Sequence, residues 1–97
     1  MKGNLSSKGG CILRIKGIYE DLKPAEKRVG EYVLQHAEEV IDFTIEDLAT
    51  KCDSSYATIT RFCKRAGYSG YKELKSGLIN DIIRDRGVDD LIYNLSI

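Results

Sequence analysis

Two short helical patterns, residues 45–52 and 56–66, are separated by only Asp53, Ser54 and Ser55. A connection that short predicts a steep crossing of the pair, as in a helix-turn-helix. Every other periodic segment is also helical, and no strand-like alternation or internal repeat interrupts them. The expected fold class is therefore all-α, a five- or six-helix bundle containing a tri-helical helix-turn-helix core.

The flanking residues fill in that bundle. Ile12, Ile15, Ile18 or Tyr19, and Leu22 recur at helical spacing and predict a first helix over 10–21. Pro24 suits the first position of a second helix, where its fixed φ helps and its missing N–H is not needed. Ala25, Val29, Val33 and Ala37 follow at intervals of four, carrying that helix to about His36, with a short helical turn over 37–41. Thr44 caps the next helix, and Glu46 and Asp47 favour its positive end. Leu48, Ala49 and Cys52 form the inner face, with Ala49 small enough for close helix approach. Asp53 sits where the turn needs a left-handed backbone, which aspartate tolerates. Ser54 stands where such turns often bury an aliphatic residue, and Ser55 is the N-cap of the following helix. Gly67 allows a left-handed exit. From Ser69 or Gly70 a longer helix presents Tyr71, Leu74, Leu78, Ile82 and Ile83 as a stripe and ends near Gly87. A last segment, 88–97, carries Leu91, Ile92 and Leu95 as a helix fragment.

Ninety-seven residues make one domain with a modest core, small for an enzyme with a buried cleft. No apolar run is long enough for a membrane span. Residues 1–10 lack the apolar core of a signal peptide and read as a flexible N-terminus, 11–86 as the folded domain, and 87–97 as the start of a linker or dimerisation segment. The three cysteines, an odd number without C-x-x-C spacing, are accompanied by a single histidine. That argues against a disulfide framework or metal site, predicts no cofactor, and fits a reducing cytoplasm. Cys52 and Cys63 read as small apolar core residues. His36, near a helix end among acids, has no nucleophile beside it, so no enzyme is expected.

Net charge is zero, but its distribution is uneven. Residues 29–50 hold six acids and no lysine or arginine, whereas 51–75 hold six bases against Asp53 and Glu73. A basic segment in a neutral chain is the pattern of a small DNA module with one binding face. Around the helical wheel of 56–66, Ile59, Phe62 and Ala66 fall on one side, with Cys63 at its edge. Ala57, Thr60, Arg61 and Lys64 fall on the other, flanked by Tyr56 and Thr58 at the end that enters a major groove first. Arg61 can donate two parallel bonds to guanine, and Thr58 and Thr60 can bond bases or phosphates. Ala57 permits close approach. Ser55, the free N–H groups beside it and the Tyr56 hydroxyl can hold a phosphate. Lys64, Lys72 and Lys75 suit phosphate neutralisation.

The segments LKPAEKRVGEYVLQH and TIEDLATKCDSSYATITRFCKRAGYSGYKELK resemble the N-terminal domain of RpiR-family bacterial transcription regulators over about residues 12–83. The family pattern is matched by Thr58, Ile59, Arg61, Phe62, Lys64, Gly67, Tyr68, Gly70, Tyr71, Leu74 and Lys75. Lys23 departs from the hydroxyl residue often found before the family's Pro-Ala-Glu, and Asp53, Ser54 and Tyr56 depart from its usual turn. The resemblance implies a dimeric repressor or activator of sugar-metabolism genes, binding double-stranded operator DNA in a bacterial cytoplasm at the nucleoid. It also implies a C-terminal sugar-isomerase-like (SIS) domain sensing a phosphosugar. None of these 97 residues can form that domain, so the expectation is a truncated regulator or a stand-alone relative. The alternative is a protein-interaction module that turns the same basic face toward an acidic partner.

Overall fold

The structure, a computed structural model, describes the backbone of residues 2–96 and the side chains of residues 10–84. Six α-helices follow one another: α1 (Lys2–Ile18), α2 (Pro24–Gln35), α3 (Ala37–Val40), α4 (Ile45–Cys52), α5 (Tyr56–Arg65) and α6 (Tyr71–Ser96), with a 3₁₀ turn at Tyr19–Asp21. No strand occurs among the described residues.

α2, α4 and α5 pack as a tri-helical unit, and α1 with α6 closes it from outside. Phe62, Leu48, Ile59, Val29, Val33, Val40, Ile15, Leu74 and Leu78 are fully buried and form one core shared by all six helices. Burial of such side chains contributes roughly 1.5–3 kcal/mol each, the main force holding so short a chain together. All three cysteines are buried free thiols. Burial pushes Cys11 up to about 11 and Cys63 up to about 12, so both remain neutral space-fillers. Ala49 is buried as expected, and a close helix approach occurs at another position: a Cβ on Gly30 would lie 3.2 Å from the Phe62 ring, so α2 and α5 meet over a glycine.

α1 is interrupted at Gly10, whose φ of 70° and ψ of −158° are not helical. Beyond the break Asp81, on α6, accepts the Ile12 N–H at 2.7 Å, capping the second part of α1 from a neighbouring helix. From there α1 runs antiparallel to α6: Asp81 lies against Gly10, the Leu74 carbonyl against the Cys11 thiol, and Tyr68 under the Arg14 guanidinium.

α6 does not stop at Gly87; its backbone stays helical to Ser96. A helical glycine costs only about 1 kcal/mol relative to alanine, and no proline follows to force an end. The separate fragment expected over 88–97 is thus part of α6, and its side chains lie outside the described residues. Tyr71, Leu74 and Leu78 are buried as the stripe predicts, but Ile83 is 54% exposed.

Candidate nucleic-acid interface

The two crossing helices are fixed at their starts. Thr44 accepts the Asp47 N–H at 3.1 Å while Asp47 accepts the Thr44 N–H at 3.0 Å, a reciprocal capping box that begins α4. α4 ends at Asp53, which adopts the left-handed conformation (φ 54°, ψ 50°), the conformation expected from its place in the turn. The turn then closes through the Ser54 N–H to the Ala49 carbonyl at 2.9 Å. Ser54 is half-buried, and its hydroxyl lies 3.4 Å from the Cys52 carbonyl, so a polar residue is satisfied where an aliphatic one would pack.

Ser55 caps α5 by accepting the Thr58 N–H at 3.1 Å. No acid occupies the first turn of α5, and Lys64 and Arg65 occupy its last. The cap leaves the N–H groups of Tyr56 and Ala57 without an intrahelical partner, as at any helix start. The far end is closed by Gly67 at φ 94° and by Arg14, whose Nη1 lies 3.4–3.5 Å from the Gly67 and Ala66 carbonyls. Arg14 has no signal in the local sequence of α5; only the packing of α1 brings it there.

Most of the expected residues share one outward face. Ser55, Tyr56, Ala57, Arg61 and Lys64 are exposed and Thr60 is half-buried. Tyr56 stays half-exposed, and partial desolvation together with a hydrogen bond to the Glu46 carboxylate of α4 pushes its phenol above the ordinary value. Two residues are placed differently. Thr58 is only 7% exposed and its hydroxyl lies 3.0 Å from that of Ser55, so it braces the cap from inside and does not face outward. Its position four residues before Phe62 puts it on the inner stripe, which the wheel could have shown. Lys75 is half-buried, donating to the Phe43 carbonyl at 2.9 Å beside the Tyr71 ring, so it holds the corner before α4. Lys72, one turn earlier, is exposed.

Beneath this face lies a group that composition alone does not single out. Glu26, in the first turn of α2, is 2% exposed, and its Oε1 accepts from Arg65 Nε at 2.8 Å and from the Lys23 N–H at 3.3 Å. Its Oε2 lies 3.8 Å from Arg61 Nε. The signal was positional: Glu26 precedes Val29, Gly30 and Val33 by three, four and seven residues, which sets it on the buried face of α2. His36 is half-buried at the end of α2, with its ring 4.3 Å from that of Tyr32 and its Nδ1 3.7 Å from Glu39. No group of three or more potential metal ligands occurs among the described residues, and no helix there is long and apolar enough to cross a membrane.

A tri-helical unit with two capped helices joined by a three-residue turn and a basic outward face is a helix-turn-helix domain of the DNA-binding class. The family model described as the helix-turn-helix domain of the rpiR family matches residues 9–84, and the chain belongs to that family. Among its relatives, the regulator YbbH of Bacillus subtilis is 27% identical over 85 residues, covering 86% of this chain and 30% of that protein. HexR of Pseudomonas aeruginosa, an HTH-type transcriptional regulator, is 36% identical over 69 residues, which are 71% of this chain and 24% of HexR. A bifunctional glk protein of Paraburkholderia xenovorans matches at 39% identity, but over only 11% of its length. The N-terminal domain of YbbH superposes with a TM-score of 0.69 at 28% identity, covering 71% of this chain and 84% of that one. NanR of Vibrio vulnificus, solved in complex with ManNAc-6P, superposes with a TM-score of 0.74 at 32% identity, over 77% of this chain and 29% of NanR. The chain spans less than a third of the length of these full-length relatives.

Proposed function

We propose that the chain reads operator DNA with α5 in the major groove, as a homodimer on two-fold-related half-sites. The observation that carries this reading is the outward face of α5. Ala57, Arg61 and Lys64 stand exposed, with Thr60 half-buried among them, on a helix whose first turn holds no acid. Arg61 is the base reader, able to donate two parallel bonds to guanine; Lys64 and Lys72 neutralise phosphates. Ser55 and the open N–H groups beside it receive a phosphate at the helix start.

One short helix reads few base pairs, so useful specificity calls for a second copy one turn of DNA away. Tyr71, Leu74 and Leu78 are consumed by the core, so among the described residues the exposed apolar side chains of the outer helices, Leu13, Ile79 and Ile83, are the candidates for the dimer contact, beside the Leu91–Leu95 stripe outside them. Membership of a regulator family supports transcriptional control. The phosphorylated sugar in the NanR complex supports sugar metabolism as the regulated process and a phosphosugar as the effector, sensed by a domain beyond these residues.

The test is a titration of wild type, Arg61→Ala and Lys72→Ala against a duplex selected by the wild-type protein and against random duplex, at several salt concentrations. Arg61→Ala should lose about 1–3 kcal/mol on the selected duplex alone. Lys72→Ala should weaken both duplexes alike and shallow the salt slope by about one. Equal losses on both duplexes for both variants would overturn the assignment.

A further inference from the structure

Glu26 is an ionisable side chain placed under the very face proposed to meet a polyanion. Burying a carboxylate beside arginines is poor economy for stability alone, because desolvation takes back much of the attraction. Its geometry is specific. One oxygen is fixed by both the Lys23 N–H and Arg65 Nε, and the other faces Arg61 Nε.

Both arginines approach it through Nε, so the carboxylate lies at the side edge of each guanidinium and the end edge, between the two Nη nitrogens, is a different edge of the fork. Those Nη atoms form the terminal fork that pairs with a phosphate or with guanine O6 and N7. Both side chains remain open to solvent, Arg61 at 61% and Arg65 at 43% exposure. Arg65 follows Arg61 by one helical turn, at the edge of the reading face toward α2. The 2.8 Å contact holds Arg65 firmly, whereas the 3.8 Å approach guides Arg61 without tying it down.

We propose that buried Glu26 is a positioning residue for DNA reading, holding Arg65 as a phosphate clamp and aiming Arg61 at the base edges. This deepens the reading of α5 as the recognition helix and rests on it. Glutamine at position 26 keeps the shape of the side chain and can still accept one bond. It removes the charge, and it offers Arg61 Nε either an amide oxygen without charge or an amide N–H that repels it.

The full chain and its Glu26→Gln, Arg65→Ala and Arg61→Ala variants are titrated with a duplex enriched by wild type from a library with a randomised centre, and with unselected duplex. Far-UV circular dichroism and thermal melts accompany the titrations. Glu26→Gln should lose roughly tenfold on the enriched duplex and clearly less on unselected duplex, where the looser Arg65 clamp is offset by the negative charge that has left the interface. A merely structural role would lower both affinities together. Arg65→Ala should weaken both duplexes and shallow the salt slope by about one. Parallel losses for Glu26→Gln, or an unchanged salt slope for Arg65→Ala, would overturn the proposal. Should Glu26→Gln fail to fold, the salt slope of Arg65→Ala, on the exposed side of the pair, decides. If wild type itself shows no salt-dependent affinity for any duplex, the recognition-helix reading fails first. Wild-type binding with parallel Glu26→Gln losses sinks the positioning role alone.

Discussion

α4 and α5 each begin at a hydroxyl residue that accepts the N–H three positions on, Thr44 from Asp47 and Ser55 from Thr58, both at 3.1 Å. Each turns an apolar stripe into the same core, Leu48 and Cys52 from one, Ile59 and Phe62 from the other. Their outer halves part company. α4 has Glu46 and Asp47 in its first turn and answers its own helix start with a carboxylate. α5 has no acid there, and the side chain at the equivalent position, Thr58, turns inward to Ser55. The same capping device therefore gives one self-contained helix and one whose positive end stays open.

The buried halves should behave alike and fail hard. Phe62→Ala removes a fully buried ring and should cost about 3–5 kcal/mol, and Leu48→Ala about 2–5 kcal/mol, read as lowered midpoints in urea melts. A Phe62→Ala variant as stable as wild type would mean the shared core is not what joins the two helices. The helix starts should then separate stability from binding. Ser55→Asp keeps a good N-cap and adds a charge that the helix end favours, so Tm should hold or rise. The same charge meets a phosphate, and DNA affinity should fall roughly tenfold. Loss of both properties together would erase the distinction between the two helices. Thr44→Ala is the smallest change. It should lower stability by about 1 kcal/mol and leave the ratio of selected to random DNA affinity untouched, measured at a temperature where the variant is folded.

Much of this was legible in the sequence because it is local. Helical spacing, Pro24, Thr44, Asp53, Ser55 and Gly67 act on their own neighbours, and the structure places each where its chemistry predicts. What could not be read depends on partners distant in the chain. Glu26 looks like any acid in a first helical turn until α5 brings Arg65 to it. Arg14 and Asp81 are ordinary charged residues until α1 is laid against the end of α5 and against α6. Lys75 counts as a free cation by composition and is occupied only because the Phe43 carbonyl comes within 2.9 Å of it. Gly87 signals a helix end but does not enforce one, since it lacks proline's steric veto. The outward face of α5 was largely legible, apart from Thr58, because a single wheel sorts it. The ion-pair layer below was not, because it joins two wheels.

Gly67 carries a consequence for how the sequence can change. Its φ of 94° disfavours a side chain, and a Cβ there would also lie 2.7 Å from Arg14 Nη1. A replacement at Gly67 must therefore displace the Arg14 guanidinium, and losing Arg14 first would clear the space without relieving the backbone. The two positions are coupled in the order in which they can mutate: Arg14 can be lost while Gly67 stays, but the reverse order meets both obstacles at once.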